Sequence, residues 1–356
     1  MSEPAGVRVG DLDPGSVDAA AVAHHGDPAR EQRTLATAAG LVDRTHRDLL
    51  VVPGPDRITW LHDLTTQHLR ALAPWQGTEL LVLSPHGHVE AHAVATDDGS
   101  ATWLDTEPGG GPGLLEFLTR MRFMTRVEPA GASAGWGLWS LVGPAADTAV
   151  TRLGIAALDP PRTQPVPPAK FASADVAPVP TTLYQVAVLP GGGWARRMGY
   201  GYDLLVPRDR TGLAAELGVP RAGHWAFEAL RVAARVPRLG FETDHRTIPA
   251  EVGWLGAAVH LDKGCYRGQE TVARVHNLGR PPRRLVLLHL DGIGTDELPA
   301  PGTPVLVAGG DRPVGVTGTA VRHFELGMVV LALVKRSVAD SAELRVGPAA
   351  AAIDPD

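Results

Sequence analysis

The amino-acid sequence predicts an α+β protein in which two α+β lobes are followed by a small C-terminal β-barrel. Three short strands between residues 79 and 105 precede a stripe of apolar residues at helical spacing between residues 114 and 127. Strands and helices alternate again between residues 184 and 236. From residue 284 onward the sequence contains five short apolar strands separated by turn residues, a pattern typical of a small barrel. Together these patterns indicate the α+β class.

The elements of the first lobe follow from periodicity and turn residues. A strand near residues 48–52 ends at a Gly-Pro-Asp turn, and a helix follows it. Turns at residues 85–87 and 97–99 separate the next three strands, which are Glu79–Ser84, His88–Thr96 and Ala101–Asp105. The helix after them leads to a further strand near residues 137–142.

The second lobe and the barrel are predicted in the same way. Strands are expected at Tyr184–Leu189 and Tyr202–Val206, with a short helix at Thr211–Leu217. A longer helix over His224–Val236 stops at Pro237, because proline cannot continue a helix. We therefore divide the chain into a flexible N-terminal tail over residues 1–32, a first α+β lobe over 33–157, a proline-rich linker or loop over 158–168, a second α+β lobe over 169–282 and a β-barrel over 283–350.

Composition excludes several classes of function. The chain has 356 residues and a formal net charge of −6, which argues against a chain-wide basic surface and against nucleic acid as a partner. A single cysteine excludes a disulfide framework and a multi-cysteine zinc site. Apolar runs fall short of the roughly 20 residues that a membrane span needs, and the acidic N-terminal residues lack a secretory hydrophobic region. We expect a cytoplasmic protein without a membrane partner.

Residues 263–270, KGCYRGQE, contain that cysteine. Cys265 follows Gly264 and lies three residues before Gly268, and glycines let the backbone approach a ligand closely. Lys263, Arg267 and Arg274 are near in sequence, and cationic neighbours favour the nucleophilic thiolate form of a cysteine. The alternative is that Cys265 is a small packing residue in a turn. Local chemistry alone leaves both readings open.

The same octapeptide resembles the signature K-G-C-Y-x-G-Q-E of the YgfZ family of folate-binding proteins. All its fixed positions are matched, by Lys263, Gly264, Cys265, Tyr266, Gly268, Gln269 and Glu270. The resemblance implies an accessory protein that binds tetrahydrofolate and supports the assembly or repair of iron–sulfur clusters in client enzymes. It implies Cys265 as the functional thiol and iron–sulfur client or assembly proteins as partners, without fixing the chemical step.

The rest of the chain resembles the wider fold family of the glycine-cleavage T-protein, an aminomethyltransferase that uses tetrahydrofolate. The similar segments are Val52–Asp56 with Trp60 and Leu61, Met198–Leu204, Ala229–Arg231 and Pro249–Trp254. The resemblance implies folate at the domain junction, with Asp203, Arg231 and Trp254 around the pterin. Arg274 begins a basic run whose charges can contact the glutamate tail of folate, a phosphate or RNA, or can equally form a solvated connector into the barrel. The chain departs from the T-protein pattern where that family has an acidic pair, since Glu90 keeps one carboxylate and Ala91 lacks the second.

Three functions remain open at this stage. The first is the folate-binding accessory protein, which the complete cysteine motif favours; the chain would then be no enzyme. The second is a folate-dependent one-carbon transferase of the aminomethyltransferase type, with Glu90 as the acid. The third is an interaction module in which folate only stabilises the fold. No stably bound metal is predicted, because the alternating His86, His88, Glu90 and His92 are typical of the polar face of a half-exposed strand. The oligomeric state is left open.

Overall fold

The computed structural model describes residues 6–165, 180–278 and 280–355. The chain begins with an ordered segment whose elements are β1 (Val7–Arg8), α1 (Val9–Leu12), β2 (Val22–His24) and α2 (Pro28–Thr37). The flexible tail expected over residues 1–32 is therefore wrong from residue 6 onward. The sequence hides this order because the segment is held by tertiary contacts rather than by its own periodicity: Val9, Ala21 and Ala23 form a small core, and Asp18 is buried against distant residues.

A large mixed sheet forms the body of the molecule. Its strands are β3 (Gly40–Asp43), β4 (Asp48–Pro53), β5 (Gln76–Leu83), β6 (Val89–Asp97), β7 (Ala101–Thr106), β8 (Ala130–Gly131), β9 (Trp136–Val142), β10 (Arg162–Pro165), β11 (Pro180–Val188), β12 (Trp194–Met198), β13 (Gly201–Pro207) and β14 (Arg221–Ala222). Across the described residues the order is β14-β3-β9-β13-β12-β11-β5-β6-β7-β4-β8, and β10 pairs with β11 outside this path. The β14–β3 pairing is parallel, whereas the other pairings of the sheet are antiparallel.

Helices cover the sheet and lead into the barrel. They are α3 (Arg57–Leu64), α4 (Gly111–Arg120), α5 (Ala146–Val150), α6 (Leu213–Leu217), α7 (His224–Ala233) and α8 (Gln269–Leu278), with 3₁₀ turns at Thr151–Leu153 and Pro249–Glu251. Helices α3 and α4 contribute to the core of β4–β7, and α5 and α6 to the core of β3, β9, β12 and β13. Each lobe therefore has its own apolar core on the common sheet.

The two lobes do not follow the sequential boundaries expected at residues 33–157 and 169–282. Strands β3 and β9 come from the first range but pair with each other and with β13 from the second. The expected proline-rich linker over 158–168 is in part a strand, since Arg162–Pro165 forms β10, while residues 166–168 lie outside the described residues. Local patterns cannot show this exchange, because strand pairing joins residues far apart in sequence.

The C-terminal residues form the expected β-barrel. Its strands are β15 (Arg283–Leu290), β16 (Pro304–Val307), β17 (Pro313–His323), β18 (Gly327–Lys335), β19 (Leu344–Val346) and β20 (Ala349–Ile353). They close in the order β15-β18-β17-β16-β19-β20, which leaves no free sheet edge. The sequence predicts five of these strands; the sixth, β20, is alanine-rich, and alanine has weak strand propensity.

Two apolar clusters join the barrel to the body. In one, Leu333 of β18 packs with Trp254, Tyr266 and residues of β5 and β6. In the other, Ala229 and Val232 of α7 pack on the barrel strands. The segment between α7 and α8 is therefore held between body and barrel.

The barrel core gives a test of the fold. Leu288 of β15 is fully buried in it, so Leu288→Ala should lower the free energy of unfolding by about 2–5 kcal/mol, the range for cavities left by buried leucines. Leu326→Ala is the matched control: this leucine lies in the β17–β18 turn and is 40% exposed, so a change within about 0.5 kcal/mol is expected. Urea unfolding of both variants measures the difference. Equal losses would contradict the assigned barrel interior.

Candidate functional site

A cavity of about 450 Å³ lies where the two halves of the sheet meet α7, a volume within the usual range for small-molecule sites. Strands β5, β6, β12 and β13 contribute to one side, and α7 with residues 236–238 to the other. Much of the wall is apolar, from Val94, Val142, Met198, Phe227, Leu230, Val236 and Trp254. Such a wall favours a flat, largely apolar ligand body.

Glu79 places a buried carboxylate in this wall. Its Oε1 accepts a 2.6 Å hydrogen bond from the Tyr184 hydroxyl, and its Oε2 lies 2.9 Å from His92 Nε2. Burial is the largest single influence and disfavours the charged form, but the hydrogen bonds from His92 and Tyr184 and the charges of His92 and Arg196 together hold the pKa of Glu79 below its usual value. The His92 ring stacks on Trp254, with ring centroids 4.8 Å apart. The sequence analysis missed Glu79, although a carboxylate beginning the apolar run ELLVL is a signal.

Asp203, expected at the folate site, does line the cavity, but its oxygens are already in use. Oδ1 accepts hydrogen bonds from Tyr200 (2.6 Å) and Ser140 (2.7 Å). Oδ2 accepts one from the fully buried Arg196 at 2.7 Å. Burial is the largest single influence and opposes ionisation of Asp203, but the charges of Arg196 and Arg44 and the hydrogen bonds from Ser140 and Tyr200 together lower its pKa. Through these hydrogen bonds, Asp203 holds the neighbouring side chains of the cavity wall in position.

Arg231 also lines the cavity, yet its guanidinium serves the packing of α7. It lies 2.8 Å from Glu228 and 3.3 Å from Glu242, and it donates a 2.7 Å hydrogen bond to Thr319 of β17. These contacts join α7 to the barrel. An ion pair of this kind makes Arg231 a structural residue of the site.

Two arginines that the sequence analysis did not single out complete the polar wall. Arg44 and Arg47 come from the turn between β3 and β4, and the Arg44 guanidinium lies 4.4 Å from the centre of the Phe227 ring. The Nε atoms of both side chains are buried and have no hydrogen-bond partner among the described residues. Their other guanidinium nitrogens pair with Asp203, Asp105 and Glu107, so the two arginines add positive charge to this part of the wall. The charged run after the strand, DRTHRD, was the available signal.

The fourth expected contact, Arg274, lies elsewhere. It is on α8, its side chain is 70% exposed, and its Nη2 is 3.8 Å from Glu270 one turn earlier. The structure thus brings Asp203, Arg231 and Trp254 together and leaves Arg274 at the surface. Arg274 is close in sequence to the motif but does not line the cavity, because α8 packs beside the 3₁₀ turn Pro249–Glu251.

The octapeptide 263–270 forms a second feature, with two residues buried and the others exposed or partly exposed. Lys263 and Tyr266 point inward, whereas Gly264, Cys265 and Arg267 are exposed. The Lys263 ammonium donates to the carbonyl oxygens of His62 and Thr65, at the C-terminal end of α3. Those carbonyls have no partner within the helix, so Lys263 caps it. Burial lowers the pKa of Lys263 to about 8.

The two glycines of the motif have different roles. Gly268 has φ +82°, and a Cβ there would lie 2.6 Å from the Ser84 carbonyl oxygen. The turn before β6 approaches this backbone so closely that position 268 requires glycine. Gly264 has no atom within 4 Å of its Cβ position and no positive φ. The fold of this chain therefore leaves open space beside Gly264, next to the thiol. Gln269 closes the turn by donating to the Lys263 carbonyl at 3.1 Å.

Each cation expected around Cys265 is engaged by another group. Arg267 lies 3.0 Å from Glu90, Arg274 is beside Glu270, and Lys263 faces the end of α3. Cys265 remains exposed as a free thiol. The motif therefore presents the sulfur outward on a backbone fixed from inside by Lys263 and Tyr266.

Comparison with known proteins shows which family has this architecture. Residues 21–263 match the model of the GCVT N-terminal domain, and the chain belongs to this family. In structure it is similar to the glycine cleavage system aminomethyltransferase T from Bartonella henselae, with a TM-score of 0.75, 17% identity, and coverage of 94% of this chain and 90% of that one. The T-protein fold expected from the sequence is thereby confirmed.

Curated relatives carry transferase names. A putative chloroplastic transferase of Arabidopsis thaliana is 28% identical over 296 residues, which cover 81% of this chain and 65% of the relative. The chain thus spans less than two thirds of that relative's length. An aminomethyltransferase of Symbiobacterium thermophilum is 27% identical over 296 residues, covering 78% of this chain and 74% of the relative. Separately, no helix within the described residues is long and apolar enough to cross a membrane.

The inward face of the motif can be tested by stability. Lys263→Met removes a charged donor from two buried helix-end carbonyls and should lower the free energy of unfolding by about 1.5–3 kcal/mol. Arg267→Met is the control, because its pair with Glu90 is exposed and contributes about 0–1 kcal/mol. Urea unfolding compares the two. A loss at Arg267 as large as that at Lys263 would refute the inward anchoring.

Proposed function

We propose that this chain binds tetrahydrofolate in the cavity and acts as an accessory protein for iron–sulfur enzymes through Cys265. The observation that carries the proposal is the combination of a cavity lined by apolar and charged side chains with a separate, exposed thiol. The octapeptide, which resembles the YgfZ signature, supports the iron–sulfur role. The cytoplasm is the proposed location.

The cavity residues fit a folate. A pterin is a flat heterocycle with amino donors on one edge, and Glu79 offers a carboxylate held in its charged form. Trp254 and Phe227 provide aromatic walls, and the guanidiniums of Arg44 and Arg47 add positive charge to the lining. Bound tetrahydrofolate would supply a reduced pterin able to carry one-carbon units on nitrogen. Asp203 and Arg231 would hold the walls that orient it.

The aminomethyltransferase reading is the second candidate, and the names of the relatives favour it. Its proposed acid, Glu90, has a side chain 44% exposed and paired with Arg267, and it is not among the cavity-lining residues. Ala91 has no carboxylate to replace the missing one. These positions support a folate site without the acidic pair of the transferases.

Iron–sulfur chemistry at Cys265 requires partners. One thiolate cannot hold a cluster alone, because clusters are bound by several cysteine ligands. An exposed thiol beside the open space at Gly264 suits approach by a client or assembly protein that brings the other ligands.

Folate binding is tested by thermal stability and calorimetry. Tetrahydrofolate at 100 times its Kd should add about 2.7 kcal/mol to the free energy of unfolding, since it binds only the folded chain. Glu79→Gln should weaken binding about tenfold or more, about 1.4 kcal/mol, because the amide cannot match a charged acceptor for the pterin amino edge. Arg274→Gln, at the surface, should bind as the native chain does. No stabilisation of the native chain by millimolar tetrahydrofolate would refute the proposed site.

The role of Cys265 is tested by complementation. In a strain lacking this protein, Cys265→Ser should fail to restore iron–sulfur enzyme activities while keeping native stability and tetrahydrofolate affinity, because its side chain is exposed and distant from the cavity lining. Arg267→Gln, which changes the adjacent exposed residue, is the control and should complement. Full rescue by Cys265→Ala would make Cys265 a packing residue. Release of ammonia and formation of methylene-tetrahydrofolate from an aminomethylated lipoyl carrier would instead favour the transferase.

A further inference from the structure

Behind the cavity wall, three residues from distant parts of the chain converge in the interior. Asp18 lies between α1 and β2, His46 lies in the turn between β3 and β4, and His224 begins α7. His46 Nε2 is 3.4 Å from Asp18 Oδ1, and His224 Nε2 is 3.3 Å from Asp18 Oδ2. One ring nitrogen from each histidine and one carboxylate oxygen all lie within 4.8 Å of one another. The side chains are 2%, 5% and 7% exposed for His46, His224 and Asp18.

Three of the four ring nitrogens of the two imidazoles lack hydrogen bonds among the described residues. Both ring nitrogens of His224 and the Nδ1 of His46 are buried without a partner among the described residues. Buried polar atoms are normally satisfied, and an unmatched one costs free energy. The unmatched ring nitrogens therefore suggest that an ion binds between the two imidazoles and Asp18.

The distances fit metal ligands better than hydrogen bonds. An N–H···O hydrogen bond spans about 2.7–3.2 Å, shorter than both separations here. Zinc bound to imidazole nitrogen and carboxylate oxygen at about 2.0–2.2 Å in a tetrahedron sets its ligands about 3.3–3.4 Å apart. The separations of 3.4 Å from His46 to Oδ1 and 3.3 Å from His224 to Oδ2 each have that length, one at each oxygen of Asp18.

Arg238 shares the same carboxylate and does not block an ion. Its guanidinium lies 2.7 Å from Asp18 Oδ1 and 2.8 Å from Oδ2. Each carboxylate oxygen has two lone pairs. On each oxygen, one lone pair can accept a hydrogen bond from Arg238 while the other faces a histidine. The same carboxylate can therefore bridge a guanidinium and a metal ion.

The surrounding charge also admits a cation. Asp18 belongs to a continuous ion-pair network that, within the described residues, contains six carboxylates and five guanidiniums. Its members are Asp18, Asp105, Glu107, Asp203, Glu228 and Glu242 with Arg44, Arg47, Arg196, Arg231 and Arg238. The network thus has one more carboxylate than it has guanidiniums. This excess negative charge offsets the repulsion that Arg238 would exert on a metal ion.

We propose that Asp18, His46 and His224 bind one zinc ion, which fastens residues 6–24 to the back of the cavity wall. Two imidazoles and a carboxylate are ligands that zinc accepts, with a fourth position left for water. Asp18 lies before residue 21, where the family match begins, so the site is a feature of this chain beyond that match. The sequence analysis predicted no bound metal because it sought ligands close in sequence, whereas these are brought together by the fold.

The experiment uses the full chain purified without a histidine tag. Metal analysis should find one zinc per chain; after removal by a chelator, zinc should bind again and raise the melting temperature. His46→Gln and His224→Gln should each abolish both effects. His289→Gln is the matched control, because this histidine also faces a carboxylate, with Nε2 3.0 Å from Asp354 Oδ1, but belongs to no such cluster. It should keep the zinc.

Two results would overturn the site. One is a native chain that contains no zinc and neither binds it by calorimetry nor is stabilised by it; the other is zinc retained by both folded glutamine variants. If the variants fail to fold, X-ray absorption of the zinc-loaded native chain decides: a shell of nitrogen and oxygen ligands at about 2.0–2.2 Å with two imidazoles supports the site, and a shell without imidazoles refutes it.

Discussion

The buried ion-pair network is the constraint on which the cavity depends. Arg196, with no exposed surface, lies 2.8 Å from Asp105 of β7 and 2.7 Å from Asp203 of β13, and so joins the two halves of the sheet. Charges removed from water are costly unless paired, so these strands have little freedom to shift without leaving a charge alone. The network therefore limits the positions of its own members in the cavity lining, Asp105, Glu107 and Asp203 with Arg44, Arg47, Arg231 and Arg238.

The same network explains why the cavity can hold charge at all. Arg47 contacts Asp105 and Glu107, and Arg238 contacts Glu107 and Glu228, so cations and carboxylates alternate around the wall. The charges of these neighbours lower the pKa of Glu107 against the opposing effect of burial. A wall made in this way is polar but rigid, and a ligand meets dipoles and charges already in place.

Sequence reasoning succeeded where the signal was local. Alternating strands and the resemblance to the T-protein predicted the α+β fold and the C-terminal barrel. It failed where tertiary contacts decide: residues 6–32 are ordered through Asp18 and Arg238, separated by 220 positions. Likewise, Glu79 and Arg44 reach the cavity because β5 and β3 lie on either side of the sheet junction, an arrangement that no local period encodes. Arg274 was misplaced for the converse reason, since nearness in sequence was taken for nearness in space.

The cavity and the motif share one apolar cluster, and this has a physical consequence for their relation. Trp254 lines the cavity, while Tyr266 anchors the motif, and both pack with Leu333 of the barrel. A ligand that contacts Trp254 only in the folded state stabilises whatever must be packed for Trp254 to be in place. That includes Tyr266 and, through it, the backbone that presents Cys265. Occupancy of the cavity would therefore suppress local opening of the motif without any change in its mean structure.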